Sequence, residues 1–479
     1  SENQNLLNAF GDANRSADAR VAAIFTLKQM IGANANDALT QAATAADARV
    51  RETALRALAD RTDQLRGVTS VIFVKALGDA DPQVQVQAIR GLVRLGARDA
   101  ADALVPLAGS SDQGLAHLAQ NALASLDATD AALKGVDGAP AVRDGVLRAL
   151  ALMYEPAVVT ALVDRAGRTT DASSRAAVLH TLARLYNREG YWRGDWWTTR
   201  PQHLGPYFDP APWEESPRIR AVLIGALMSA KGDDFTNLAT DLALNQVLPR
   251  GAQPLLAALA TSGDPLRTQL IEAMVGRAQL DARTLAVATQ LDAKGGAMHS
   301  AVAQLLAGES TLGAGSLSLA RSSALDASLD PKIRGSLLAA MGQVPGPAAL
   351  DVSADVFSRL NPVPGAAASA SPTPTSGSDP VEGAWRRFVG DRRRGSELDY
   401  FINMAKTGQP QQRTLAYAVL LQSIRTPRTP APVREKVAPV IDAAWTDAAS
   451  APSLVQAVGI MRLESQYTEK LATYNQGKK

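Results

Sequence analysis

Along the first part of the chain, at intervals of roughly 30 residues, an acidic residue opens a helix-length amphipathic run and is followed three positions later by an apolar one. Asp18 opens ARVAAIFTLKQM, Asp47 opens ARVRETALRALA, Asp81 opens PQVQVQAIRGLVRLG and Asp112 opens QGLAHLAQNALASL, with Val21, Val50, Val84 and Leu115 in the apolar place. Such an interval is too long for a heptad scheme and suits a unit of two helices. Within 47–61, Val50, Ala54, Leu55 and Leu58 fall on one stripe of a 3.6-residue helix, and Arg51, Glu52, Arg56 and Asp60 cover the remaining surface. One helix of this kind cannot bury its stripe alone. Successive units must therefore stack, and the expected fold is an all-α solenoid of helix pairs, with Val50, Leu55, Leu58, Val84, Ile89, Leu92, Val146, Leu147 and Leu150 between its layers. A short carboxylate at each opening suits the free N–H groups of a first turn, and Pro82 after Asp81 takes the helix position that tolerates proline. Similar starts are read at Pro140, Asp171, Pro217, Asp264 and Asp330, with weaker runs at 100–107 and 156–164 as partner helices.

The segments DADPQVQVQAIRGLVRLG (79–96) and TAADARVRETALRALADR (44–61) resemble the HEAT and HEAT-like repeat family, and by pattern the resemblance covers about three quarters of the chain. It implies a helical scaffold for partners and names none of them.

Composition narrows the chemistry. The chain has 479 residues, 49 basic against 47 acidic, so net charge points to no polyanionic partner. Aromatic residues make up 5% of it, which argues against a β-rich fold. Cysteine is absent, which excludes disulfides, thiolate metal sites, a cysteine nucleophile and CxxCH haem attachment within the chain. No run reaches the roughly 18 apolar residues of a transmembrane helix. The sequence starts at Ser1, from which a removed signal peptide or a cut from something larger is expected. With zero cysteine, the expected setting is extracytoplasmic, periplasmic or secreted, a cytoplasmic one remaining open.

The repeat is interrupted at EGYWRGDWWTTRPQHLGPYFDPAPWEESPRIR (189–220). Trp192, Trp196, Trp197 and Trp213, four of the six tryptophans, lie in this segment, and its prolines and glycines forbid a helix. Two readings stand side by side. The rings form a satellite core that braces adjacent repeats, or Trp192, Arg193, Trp196, Trp197, Arg200, His203 and Tyr207, with Asp195, present a recognition surface for a sugar or a protein. A mixture is expected, with Trp213 and Tyr207 inward and one of Trp196 and Trp197 outward. Burial of both would remove the binding reading. The insert also resembles a segment found in HEAT regions of large secreted bacterial proteins, where the repeats are joined to a c-type cytochrome domain, to a β-sandwich domain of the 3-keto-glycoside hydrolase type, or to both. That resemblance implies an exported, carbohydrate-related setting with the chemistry on another chain or a removed segment, since this sequence carries neither CxxCH nor a long alternating β pattern.

The Pro, Ser, Ala and Thr mixture of 361–380 reads as a linker, which gives HEAT-like repeats over 1–188 and 217–360, the insert at 189–216 and a C-terminal helical module over 381–479. Arg386, Arg387, Arg392, Arg393 and Arg394, beside Trp385 and Phe388, form the strongest basic patch. Acidic neighbours and the lack of a recurring basic stripe favour a solvated or partner-facing helix edge over nucleic acid. His117, His180, His203 and His299 are scattered, and none has a second histidine or a carboxylate at helical metal-site spacing. No nucleophile, metal site or cofactor is expected. The chain reads as a non-enzymatic scaffold for protein partners, the alternatives being the scaffold part of a carbohydrate-active or cytochrome-linked enzyme and, last, a nucleic-acid binder.

Overall fold

The computed structural model describes residues 12, 14–191, 209–263, 265–275, 280–309, 312–364, 379–425 and 429–477. Two compact units make up the chain, Ser1–Ala226 and Leu227–Lys479. Each is built from helices, and among the described residues the strands are limited to one pair of three-residue segments.

In the first unit the helices are α1 (Ala17–Ile31), α2 (Asn36–Ala42), α3 (Ala48–Ala59), α4 (Ser70–Ala76), α5 (Pro82–Leu95) and α6 (Val105–Ala108). They continue with α7 (Gln113–Ser125), α8 (Thr129–Gly135), α9 (Pro140–Leu150), α10 (Pro156–Arg168) and α11 (Ala172–Leu185). Two strands follow, β1 (Asn187–Glu189) and β2 (Pro210–Pro212), and then α12 (Ser216–Ser229). The odd-numbered helices α1 to α11 stack each on the next, and α2, α4, α6, α8 and α10 form a second layer against them. Every residue named above as an interlayer contact, Val50 through Leu150, is buried.

The opening aspartates act as the sequence suggests. Asp47 accepts from the Val50 N–H at 3.1 Å, Asp81 from Gln83 at 2.8 Å, Asp112 from Gly114 at 2.8 Å and Asp171 from Ser174 at 2.7 Å. Asp18 departs from this pattern: Ser16 caps α1 by accepting from Ala19, and Asp18 sits inside the first turn, where its charge still faces the positive helix end. Four positions after several caps, a long polar side chain folds back on a carbonyl of the preceding turn or helix end. Arg51 donates to Ala45 O and Ala46 O and bidentately to Asp79 at 2.8 and 2.7 Å, and Gln85 and Arg175 donate to Asp79 O and Ala166 O. The bond from Arg51 is the main cause holding the Asp79 carboxyl below its usual range. The expected helix at 100–107 is instead a 3-10 turn, Arg98–Leu104, running into the single turn of α6.

Gly145 marks how close the layers come, since a Cβ there would lie 2.0 Å from the Ala108 carbonyl oxygen. Backbone cannot yield as a side chain can, so Gly145→Ala should lower stability by about 1–3 kcal/mol, read as a shifted urea midpoint.

The second unit runs through α13 (Gly232–Leu244), α14 (Ala252–Ser262), α15 (Leu266–Met274), α16 (Ala282–Asp292), α17 (Gly296–Ala307), α18 (Leu317–Leu325), α19 (Pro331–Met341) and α20 (Pro347–Arg359). After 361–380 come α21 (Pro380–Gly390), α22 (Leu398–Thr407), α23 (Pro410–Ser423), α24 (Ala431–Ala444), α25 (Ala451–Met461) and α26 (Thr468–Gln476). Here α14, α17, α19, α21, α23 and α25 stack in series. The contact between α19 and α21 is close: a Cβ on Gly335 would meet the Cβ of Pro380 at 2.7 Å. The described residues before and after 361–380 fall in the same compact unit, and α21, α23 and α25 carry the stack on from α19.

Candidate functional site

The insert enters and leaves the first unit through a clasp built from residues far apart in sequence. α11 ends at Leu185, leaving carbonyls that the helix itself cannot satisfy. Trp213 Nε1 donates to Leu185 O at 2.7 Å, and the Ser216 hydroxyl donates to Tyr186 O at 2.6 Å while accepting from the Trp213 N–H at 2.8 Å. Between these points β1 and β2 pair antiparallel, Asn187 opposite Pro212, Arg188 opposite Ala211 and Glu189 opposite Pro210. Prolines are tolerated there because each strand has only one neighbour. Gly190 is required at the mouth, where a Cβ would stand 2.3 Å from Asp209 O.

Tyr154, from the turn before α10, locks this arrangement. Its hydroxyl donates to Asn187 O at 2.9 Å and accepts from Arg184 at 3.0 Å, and its ring meets Trp213 edge-on at 5.6 Å and 81°. Burial pushes the Tyr154 hydroxyl above its ordinary pKa, which keeps it a donor. Trp213 is therefore half-buried and committed to bracing, as expected of it. Trp213→Phe, which keeps the ring contact but strands the Leu185 carbonyl, should cost about 1–3 kcal/mol in thermal or urea unfolding.

Trp192, Arg193, Asp195, Trp196, Trp197, Arg200, His203 and Tyr207 lie outside the described residues. At the mouth of the insert Tyr191 is 82% exposed, with the Arg188 guanidinium 5.7 Å from its ring centre.

The five arginines of the basic patch differ in their surroundings. Arg386 pairs with Glu382 at 2.7 Å and also reaches Ile460 O. Arg393 pairs with Asp391 at 2.7 Å and donates to Gly342 O and Gln343 O, the open carbonyl end of α19. Arg394 is only 5% exposed; it pairs with Glu397, lies 4.1 Å over the Phe388 ring and donates to Phe388 O. Cations suit the negative end of a helix, so Arg393 and Arg394 act as a C-terminal clamp on α19. Of the five arginines, Arg387 and Arg392 are exposed.

A second cluster escaped the sequence reading. His299, on α17, has Asp292 Oδ1 at 2.7 Å from Nδ1 and Asp326 Oδ2 at 3.2 Å from Nε2. They border a pocket of about 440 Å³ shared with Gly295, Ser328 and Asp330. The carboxylates lie seven residues before and well after the histidine, outside any helical motif, and only the folding of α16 to α19 brings them together. They approach opposite sides of the ring and do not converge on one point. Among the described residues no group of three or more His, Cys, Asp or Glu is arranged to hold a metal ion, and no helix is long and apolar enough to cross a membrane.

No family model matches the chain, and no curated protein matches it. Among solved structures it is similar to the karyopherin Kap121p bound to the extreme C-terminus of the protein phosphatase Cdc14p, with 12% identity over 98% of this chain and 50% of that one and a TM-score of 0.47. It is also similar to importin beta, with 12% identity over 99% of this chain and 64% of that one and a TM-score of 0.41. An engineered protein matches 39% of the chain at 20% identity, with a TM-score of 0.28. The chain thus spans about half the length of Kap121p.

Proposed function

We propose that this chain is a non-enzymatic scaffold that holds a protein partner against the faces of its stacked helices, within an extracytoplasmic assembly. The observation that carries the reading is the two-layer stack itself, in which short loops and caps are spent on holding helices in register and whole rows of helix surface are left to solvent. One such face already bears unpartnered apolar surface: Val71, 72% exposed, and Val74 stand one turn apart on α4, with Phe73 turned inward. The extracytoplasmic setting is supported by the absence of cysteine and by the character of the insert.

The test is co-purification from separated cell fractions, identification of a partner that recurs, and reconstitution with that partner purified. Val71→Asp with Val74→Asp should weaken the reconstituted complex at least tenfold without changing the helical circular dichroism, an energetic loss of about 1.4 kcal/mol or more. Turnover of a glycoside by the single chain would overturn the scaffold reading, and binding to nucleic acid that falls steeply with salt would replace it by the nucleic-acid alternative.

A further inference from the structure

We propose that His299 is a proton-operated latch: as an imidazolium it ties the end of α16 and the turn after α18 to α17, and on losing a proton it releases that turn and opens the neighbouring pocket. The argument is one of donor count. A neutral imidazole has one N–H, whereas an imidazolium has two. Asp292 Oδ1 stands 2.7 Å from Nδ1, and that bond uses the single N–H of the neutral ring. Nε2 is buried, without an aligned hydrogen bond, and faces Asp326 Oδ2 at 3.2 Å. In the neutral state this contact sets a nitrogen lone pair against a carboxylate; in the protonated state it is an ion pair at the edge of the pocket, where the Asp326 side chain is 35% exposed.

Other charged groups around α17 do not remove the asymmetry. Asp292 ends α16, whose Arg283 is paired with Glu272, and Lys294 stands in the turn between α16 and α17. From α18, Arg321 is paired with Asp355. From α19, Arg334 donates to Ala324 O, Lys332 is exposed, and Asp330 borders the pocket while its Oδ1 caps the Lys332 N–H. α14 carries no charged residue. Asp326 is itself held by the turn it belongs to, Oδ1 accepting from the Ser328 N–H at 2.8 Å, so releasing its other oxygen frees 326–330 as a segment. The bond from Ser328 comes first, and the nearby His299 adds to it, in holding the Asp326 carboxyl below its usual range.

Histidine is the side chain type whose charge ordinarily changes between about pH 5 and 8, which sets the two pH values to compare. Its test is hydrogen exchange of the amides of 326–330, corrected for the intrinsic pH effect, at pH 5.5 and 8. The Glu309→Gln background is used so that the titration of Glu309, buried in the turn after α17, does not contribute. Protection should fall several-fold on going to pH 8. His299→Gln, which keeps one donor and does not titrate, should show the same protection at both values, and Asp326→Asn, which leaves the histidine in place, should shrink the step. A step of unchanged size in either variant, with native circular dichroism, would overturn the proposal.

Discussion

Replacing Trp385 by alanine should destabilise the second unit by about 3–5 kcal/mol, the cost of removing a large ring from a closed core. The indole is 0% exposed, and its N–H donates to Asn361 Oδ1 at 3.2 Å. Asn361 in turn donates to Gln411 O at 2.8 Å, so the first residue of the 361–380 segment is bonded to α21 and to α23. One turn along α21, Phe388 stacks on Phe357 of α20 at 4.1 Å and meets Phe401 of α22 edge-on at 6.4 Å. α21 thus contributes Phe388 to an aromatic core shared by helices on both sides of the segment, with Trp385 buried one turn away. Truncation should lower hydrogen-exchange protection in 331–359 and 398–461 together, with the helices of the first unit unaffected. If 381–479 alone lost protection, those helices would be an independent module, as the composition of 361–380 suggests.

That case shows where sequence reading succeeds and where it stops. Caps and stripes are local: Asp47, Asp81 and Asp112 sit two or three residues from the N–H groups they accept, and Leu55 or Leu92 is placed by a 3.6-residue period alone, so these are legible. The composition of 361–380 describes that segment and says nothing of contacts between the residues at its two ends; Asn361 and Trp385 meet only in three dimensions. The arginine run is likewise only partly legible. Its acidic neighbours suggest a solvated or partner-facing edge, which leaves unforeseen that Arg393 and Arg394 turn toward α19, roughly 50 residues earlier, whose last carbonyls need donors. The insert was recognisable from its tryptophans, but its brace depends on Tyr154, an isolated aromatic in a turn, and the His299 pair depends on stacking across three helices. Neither leaves a periodic trace.

Glu309 illustrates the same blindness with a measurable consequence for pH. In sequence it is one acid in a polar turn after α17, and in the structure it is 9% exposed. Burial raises its pKa from the ordinary 4.5 to about 7, offset in part by a hydrogen bond from the Leu280 backbone. The folded state therefore holds a proton that the unfolded chain releases earlier. Stability from this group is fully present below pH 4.5 and is lost as pH rises through about 7. The loss amounts to about 3 kcal/mol at pH 8. Glu309→Gln, which cannot ionise, should match the parent at pH 4.5 and exceed it by about 2–3 kcal/mol at pH 8, measured as the difference between urea midpoints multiplied by their common slope. Because the cause is desolvation and not an exposed ion pair, the gain should persist in 0.5 M salt, where surface charge pairs are screened within about 4–5 Å. An equal pH dependence in the two proteins would show that Glu309 is solvated when charged, and a gain that vanished in salt would trace it to a neighbouring charge.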